Sequence, residues 1–176
     1  MGGILGGGSN AKQQKAVGSL QFQTSQHGGV IPLVYGTTRL AGNLLDYDDF
    51  RATPASKTGG KGKGGGQQYT YSASFIMGLC QGPIAGIGTV WWDKNITTLA
   101  GLPGLSSINL GSDGQPADPF WATNHPAKAL SYSGTANFTC ANYQLGNTAT
   151  LPNFSVEIEG IDTGSGVNGF DATPQR

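Results

Sequence analysis

The sequence has few charges, few cysteines and no long apolar run. Only 11% of its 176 residues are charged, and ten basic residues balance ten acidic ones to a net charge of zero. No overall field therefore attracts nucleic acid or a membrane surface. No window of about twenty apolar residues could form a spanning helix, and the N-terminus lacks the basic and apolar regions of a secretory signal. These features argue against a nucleic-acid partner and against stable membrane insertion.

The two cysteines, Cys80 and Cys140, are too few for a disulfide framework. Their separation matches neither the ligand spacing of a zinc site nor a thiol-exchange motif. Unpaired cysteine behaves as a small hydrophobe and is usually buried. We therefore predict that both lie in the core.

Catalytic groups are also scarce. His27 and His125 are the only imidazoles, and a hydrolytic triad needs one of them next to a nucleophile and an orienting group. His27 lies in a glycine-rich segment. Pro126 favours an extended conformation at His125, which we expect to cap a turn or to pack. No serine stands in a Gly-x-Ser-x-Gly elbow. We predict no enzymatic activity, no catalytic residue, no cofactor and no metal.

One acidic group needs separate consideration. Asp46, Asp48 and Asp49 stand beside Tyr47 and Arg51. Such a group could be a metal nest or the solvated end of a strand, and exposed acids usually pair weakly with a local cation. We expect the solvated strand end, with Arg51 pairing locally.

Alternation identifies the clearest strand. Phe154, Val156 and Ile158 are separated by Ser155, Glu157 and Glu159, and side chains on a strand point to opposite faces with period two. The segment therefore predicts a half-buried strand with both carboxylates on its wet face.

Other segments extend this pattern. Residues 69–80 alternate in the same way, and residues 87–92 precede a tight turn that leads to Ile96. Residues 30–47 read as strand, turn at residues 36–38, and strand, with Pro32 favouring a sheet edge. Residues 100–126 are rich in proline and predict a long irregular connection rather than a helix, with Phe120 and Trp121 as its expected anchors. Residues 129–144 predict further strands around Tyr132, Phe138 and Tyr143. The fold class is thus mainly β, a β-rich α+β fold with antiparallel strands and long loops.

Adjacent tryptophans mark the predicted strand at residues 87–92. Trp91 and Trp92 must point to opposite faces of it. We expect one to enter the core and the other to lie at a rim or a subunit contact, where an aromatic ring with a polar N–H is well suited.

The glycine distribution divides the chain. Residues 1–29 predict an extended arm or plug with one short helix over residues 10–17, and residues 30–162 predict the β-rich domain. Within it, residues 52–68 predict a flexible Gly/Lys loop. No Ser or Thr follows its Gly-Lys pairs, which argues against a phosphate-binding loop. Residues 163–176 predict a tail or the start of a following segment.

Four short sequence motifs occur in a particular order along the chain. They are Val34–Gly42, Leu79–Gly88, Trp121 with His125–Tyr132, and Leu145–Gly146 with Leu151–Gly160. Together they resemble the N-terminal part of bacteriophage tail hub proteins, including the tail tip attachment protein of lambda-like phages and the hub of gene transfer agents.

The resemblance implies a structural virion protein at the distal end of the tail tube, in a ring of three chains. It implies assembly in the host cytoplasm, and contacts with the distal tail protein, the tape measure and further hub or fibre segments that recognise the host. Within this picture we expect the arm at residues 1–29 and the loop at residues 52–68 to reach neighbouring subunits. The expected assembly contacts are Trp91, Trp92, Trp121, Tyr47 and Arg39.

Two further expectations accompany this reading. Members of the family are usually far longer, so we expect an N-terminal fragment, a split-gene product or part of a hub, without the distal C-terminal regions associated with receptor binding. The alternative function is a carbohydrate-binding surface β-domain whose sugar platform would be Trp91, Trp92 and Trp121. A cell-wall hydrolase is a weaker third reading.

Overall fold

A computed structural model describes residues 16–22, 30–55 and 67–161. Several predictions concern residues outside these ranges: most of the helix at residues 10–17, His27, the centre of the loop at residues 52–68, and the segment at residues 163–176. None of the described residues belongs to a helix that is long and apolar enough to cross a membrane.

The described chain forms two antiparallel sheets, which confirms the mainly β fold class. The strands are β1 Thr37–Ala41, β2 Asn43–Pro54, β3 Tyr69–Gln81, β4 Ile84–Trp92, β5 Asn95–Thr98, β6 Leu105–Leu110, β7 Thr135–Gly146 and β8 Phe154–Gly160, and helix α1 is Pro119–Asn124. The sheets have four strands each, in the orders β1-β8-β4-β5 and β2-β3-β7-β6.

The core lies between the two sheets. Phe154 of β8 contacts the rings of Phe75 on β3 and Phe138 on β7, with centroid distances of 5.6 and 5.9 Å. All three side chains are buried. Burial of an aromatic side chain removes a large apolar area from water, so this cluster is a main source of cohesion between the sheets.

The strands predicted from alternation are present. In β8, Phe154, Val156 and Ile158 are buried and the residues between them are partly or fully exposed. The hairpin after Trp92 is also present, because β4 pairs with β5 across a turn at Asp93 and Lys94. Cys80 and Cys140 are unpaired thiols in the core, as predicted.

The connections between the sheets depend on close backbone approaches. Chain direction changes at Gly42, where β1 of one sheet gives way to β2 of the other. A Cβ at this position would lie 2.6 Å from Cγ of Met77. The later crossing from β3 to β4 passes Gly82, where a Cβ would lie 2.6 Å from Cα of Gly111. Only glycine fits either site without displacing a neighbour.

Three predicted boundaries are wrong. Thr37 and Thr38 belong to β1 rather than to a turn, while Leu33 in the preceding run makes only an isolated bridge to Gln81. The loop predicted from residue 52 begins later, because residues 52–54 pair with residues 69–71. In the third segment, β7 is one continuous strand, and Tyr132 lies in the turn before it with a φ of 46°.

The irregular connection predicted at residues 100–126 is also wrong. It contains β6, an edge strand paired with β7, and the short helix α1. Asp118 accepts a hydrogen bond from the backbone N–H of Trp121, and Pro119 occupies the first turn. An aspartate N-cap followed by proline favours a helix start, since the first N–H groups have no partner within the helix. Here Pro119 begins a helix rather than preventing one.

Residues 16–22 lie against the same chain. Leu20 is 5% exposed and belongs to the core, and Gln21 forms a parallel bridge with Thr150. The backbone N–H of Val17 donates to the hydroxyl of Tyr71. These residues therefore pack on their own domain, and contact between the arm and a neighbouring subunit stays a prediction.

Candidate functional site

An irregularity in β2 brings two carboxylates together. The pairing of β2 with β3 shifts between Asp48 and Arg51, and Asp49 has a φ of 53°. Side chains of successive residues in a regular strand diverge, whereas a bulge re-aims them. As a result, the side chains of Asp48 and Asp49 both approach the imidazole of His125, which is distant from them in the sequence.

Helix α1 places that imidazole. Trp121 is fully buried, and its indole N–H donates to Oδ2 of Asp46 over 3.1 Å. His125 ends the helix, and its backbone N–H donates to the carbonyl of Trp121. Its ring packs against the rings of Phe120 and Trp121, as expected of a capping and packing residue.

The ring of His125 lies between the two carboxylates. Its Nε2 is 3.1 Å from Oδ2 of Asp49, and its Nδ1 is 3.6 Å from Oδ2 of Asp48. The His125 side chain is only 16% exposed. We call Asp48, Asp49 and His125 the Asp-Asp-His cluster, whose donor atoms all lie within 4.8 Å of one another.

Neighbouring groups hold the cluster from several sides. The Lys128 ammonium donates to Oδ2 of Asp48 over 2.8 Å, and Arg51 lies 3.9 Å from Asp49. The hydroxyl of Ser74 donates to Oδ2 of Asp49 and accepts the backbone N–H of Asn142. Arg51 therefore pairs locally as predicted, but the expected solvated strand end also receives a half-buried histidine.

Hydrogen bonding also sets the charge state of Asp48. The hydrogen bond from Lys128, followed by that from the backbone N–H of Asp49, lowers the pKa of the Asp48 carboxyl. The same pairing raises the pKa of Lys128. Both groups are therefore charged near neutral pH. The pair is exposed, so its contribution to stability is small.

An open hollow adjoins the cluster. It has a volume of about 410 Å³, and it is lined by Gly18, Ser19, Asp46, Tyr47, Asp48, Phe50 and Lys128. Asp48 thus belongs both to the cluster and to the wall of this hollow. Solvent and small solutes have access to one side of the cluster.

A second polar surface covers the outer face of the β1-β8-β4-β5 sheet. The Arg39 guanidinium lies 4.0 Å from the ring centre of Trp91 and donates to Oγ of Ser155. Beside this pair, Glu157 accepts the backbone N–H of Thr89 over 3.1 Å. That hydrogen bond, more than the one from the Thr89 side chain, lowers the pKa of Glu157. We call Arg39, Trp91 and Ser155 the Arg-Trp patch.

The five predicted contact residues do not share one surface. Trp92 packs toward the core beside Phe154, on the side opposite Trp91. Tyr47 contacts Phe22 of the same chain, with ring centroids 6.0 Å apart. Trp121 has no exposed surface. The prediction of an assembly contact at Trp121 is therefore wrong, because the domain itself encloses its side chain.

The sugar platform fails for the same reason. It required Trp91, Trp92 and Trp121 on one accessible face, whereas Trp121 is enclosed beneath α1 and the other two lie on opposite faces of β4. Carbohydrate platforms need exposed rings, so this set of three cannot form one.

Sequence reasoning missed an exposed apolar segment at residues 30–35. Val30, Leu33 and Tyr35 are 93%, 58% and 70% exposed, and Ile31 beside them is 44% exposed. We call residues 30–35 the apolar edge segment. No charged residue occurs in it. Its apolar run was a detectable signal, but the run is interpreted from the sequence as a strand at a sheet edge rather than as an exposed surface segment.

Comparison with known proteins adds one likeness of fold. No family model matches the chain, and no curated protein matches it. A solved structure described as "Virion of native gene transfer agent (GTA) particle" contains a similar chain, with a TM-score of 0.58 and 22% sequence identity. The likeness covers 96% of this chain and 37% of that chain. At this identity the comparison shows a shared fold, and this chain spans little more than a third of the chain it resembles.

Proposed function

We propose that this chain is a structural component of a phage-like tail, forming part of a hub or tip at the distal end of the tail tube. In this role it assembles as a homotrimer, contacts other tail proteins and links the tube to host-recognition parts. It contributes binding surfaces rather than catalysis. The location is the virion, after assembly in the host cytoplasm.

The observation that carries the proposal is the fold shared with a virion chain over 96% of this chain. The four sequence motifs between Val34 and Gly160 also support it, since they resemble segments of hub proteins. A low charge content and a net charge of zero suit broad contacts between structural proteins.

Two surfaces are proposed to make the contacts. The apolar edge segment exposes several large side chains in a run without charges, and contiguous exposed apolar groups mark interaction sites. The Arg-Trp patch presents Arg39 and Trp91 together, two residue types that are enriched at interfaces. Of the five residues first expected at contacts, Arg39 and Trp91 are retained as the main candidates.

Co-assembly tests the proposal. A tagged copy of the chain is produced together with the tail genes of its own genome, and tail assemblies are purified by sedimentation. Mass spectrometry of the assemblies is expected to find the chain in stoichiometric amounts, in multiples of three. A chain that stays monomeric and enters no tail assembly would contradict the proposal.

A carbohydrate array and a peptidoglycan zymogram cover the two other functions. The structural role predicts no sugar binding that depends on Trp91 and no cleared zone. A specific glycan signal lost in Trp91→Ala would instead favour a surface-binding domain.

A further inference from the structure

We propose that the Asp-Asp-His cluster binds a divalent transition-metal ion such as Zn²⁺. Its donors are one carboxylate oxygen from Asp48, one from Asp49 and one imidazole nitrogen of His125. This inference is independent of the tail function, and neither result decides the other.

The donor set fits this class of ion. Zinc accepts imidazole nitrogen and carboxylate oxygen, usually in a tetrahedral site in which three protein ligands leave a position for water. A nitrogen donor favours zinc and its first-row neighbours over calcium and magnesium, which prefer oxygen alone. The donor atoms already lie within 4.8 Å of one another, so small side-chain rotations bring them into one coordination sphere.

The donors come from separate parts of the fold. Asp48 and Asp49 are presented by the bulge in β2, whereas His125 is held at the end of α1. Contact between positions 76 residues apart requires the folded domain. The His125 and Asp49 side chains are only 16% and 19% exposed, so competition from water is reduced.

An outer layer of hydrogen bonds orients the carboxylates. Asn142 donates its backbone N–H to Ser74, whose hydroxyl donates to Asp49. The backbone N–H of Asp49 in turn donates to Oδ1 of Asp48, which leaves Oδ2 directed at the cluster. Such outer partners fix ligand geometry, and their loss typically lowers metal affinity by about 10–100-fold.

Lys128 competes with the metal ion for the carboxylate of Asp48. Its ammonium lies 2.8 Å from the same Asp48 oxygen that would bind the metal. Metal binding therefore displaces Lys128 into the adjoining hollow, and it requires the His125 nitrogen that binds to be free of its proton.

The experiment is titration of the full chain with Zn²⁺ by calorimetry, together with Co²⁺ as a spectroscopic probe and Ca²⁺ as a comparison. We expect one saturable Zn²⁺ site per chain, visible ligand-field absorption with Co²⁺, and much weaker binding of Ca²⁺. His125→Ala should lose more than about 100-fold in affinity, above the usual effect of removing an outer partner. His27→Ala, which removes the other histidine, should bind as the natural chain does.

The Lys128→Ala variant provides the most discriminating measurement. Its side chain is 51% exposed, so the variant is expected to fold. Removal of the competing ammonium should tighten Zn²⁺ binding, whereas a purely structural salt bridge predicts no gain. Asp49→Asn provides a second loss-of-ligand variant if His125→Ala fails to fold, as judged by circular dichroism. Absence of saturable binding, unchanged binding in the folded ligand variants, or no gain in Lys128→Ala would each overturn the assignment.

Discussion

The indole N–H of Trp121 donates to the carboxylate of Asp46 over 3.1 Å, which fastens helix α1 to strand β2. The helix has only six residues, and helices this short have little stability of their own. The buried ring and its hydrogen bond therefore hold the helix in place. They also position His125 over the bulge, so the cluster depends on a side chain that takes no direct part in it.

Truncation of Trp121 tests this role. Trp121→Ala should lower the free energy of unfolding by about 3–5 kcal/mol, as expected when a large buried aromatic is removed. Trp91→Ala is the matched control, since Trp91 lies on the outer face, and it should cost far less. Urea unfolding of the two variants measures the difference. Equal losses would contradict the assignment of Trp121 to the interior.

Gly82 tests the close backbone approach at the crossing from β3 to β4. In Gly82→Ala, the new Cβ would lie 2.6 Å from Cα of Gly111 and 2.7 Å from the carbonyl oxygen of Leu110. Backbone atoms cannot yield as a flexible side chain can, so we expect a loss of about 1–3 kcal/mol. Gly18→Ala, with no atom near its Cβ, is the control. Similar melting temperatures for both variants would show that the crossing is looser than described.

Acid stability should depend on Glu157. Hydrogen bonding to Thr89 lowers its folded pKa below the ordinary value of 4.5. The folded state then binds the proton less readily than the unfolded state, so the stabilising effect is present above about pH 4.5 and is lost as pH falls through the folded pKa.

An NMR titration of the Glu157 carboxyl measures this shift. Thr89→Ala retains the backbone N–H, which is the larger cause, and should preserve most of it. Glu157→Gln should unfold with a shallower dependence on pH over the acid range. An unshifted carboxyl in the natural chain would refute the hydrogen bond.

The buried thiols predict slow labelling. Burial raises the pKa of Cys80, and it raises that of Cys140 to about 12. Since the thiolate is the reactive form, both residues should resist a disulfide reagent in the native protein and react with it after denaturation. Absorbance of the released thiol follows the reaction. Rapid native labelling of either cysteine would place it outside the core.

Self-association should depend on the apolar edge segment. Leu33→Ser is expected to weaken trimer formation while leaving the melting temperature of the monomer nearly unchanged, because the side chain is already 58% exposed. Ile96→Ser, at an apolar position on β5 that is 68% exposed, is the control and should assemble normally. Analytical ultracentrifugation distinguishes the two. Normal assembly by Leu33→Ser would remove this segment from the proposed interface.

The sequence predicted those elements whose signal is local. β8 and β3 show apolar alternation, and the turn after Trp92 carries residues that favour a tight hairpin. Helix α1 escapes the sequence prediction because the prolines of residues 100–126 suggest a break in structure, although Asp118 and Pro119 form a helix start signal.

The cluster could not have been predicted by the same means. A bulge and a left-handed Asp49 bring two adjacent carboxylates together, and tertiary packing of Trp121 then adds His125. The alternation rule predicts divergent side chains at the first step. At the second step, no local pattern connects residues that are 76 positions apart.

The central claim is a structural role within a tail assembly. A cryo-electron reconstruction of tail particles from the genome that encodes this chain tests it most directly. The account predicts three copies at the distal end of the tube, with the two sheets resolved and the apolar edge segment against a neighbouring subunit. Intact tails that contain no density and no peptides from this chain would contradict it.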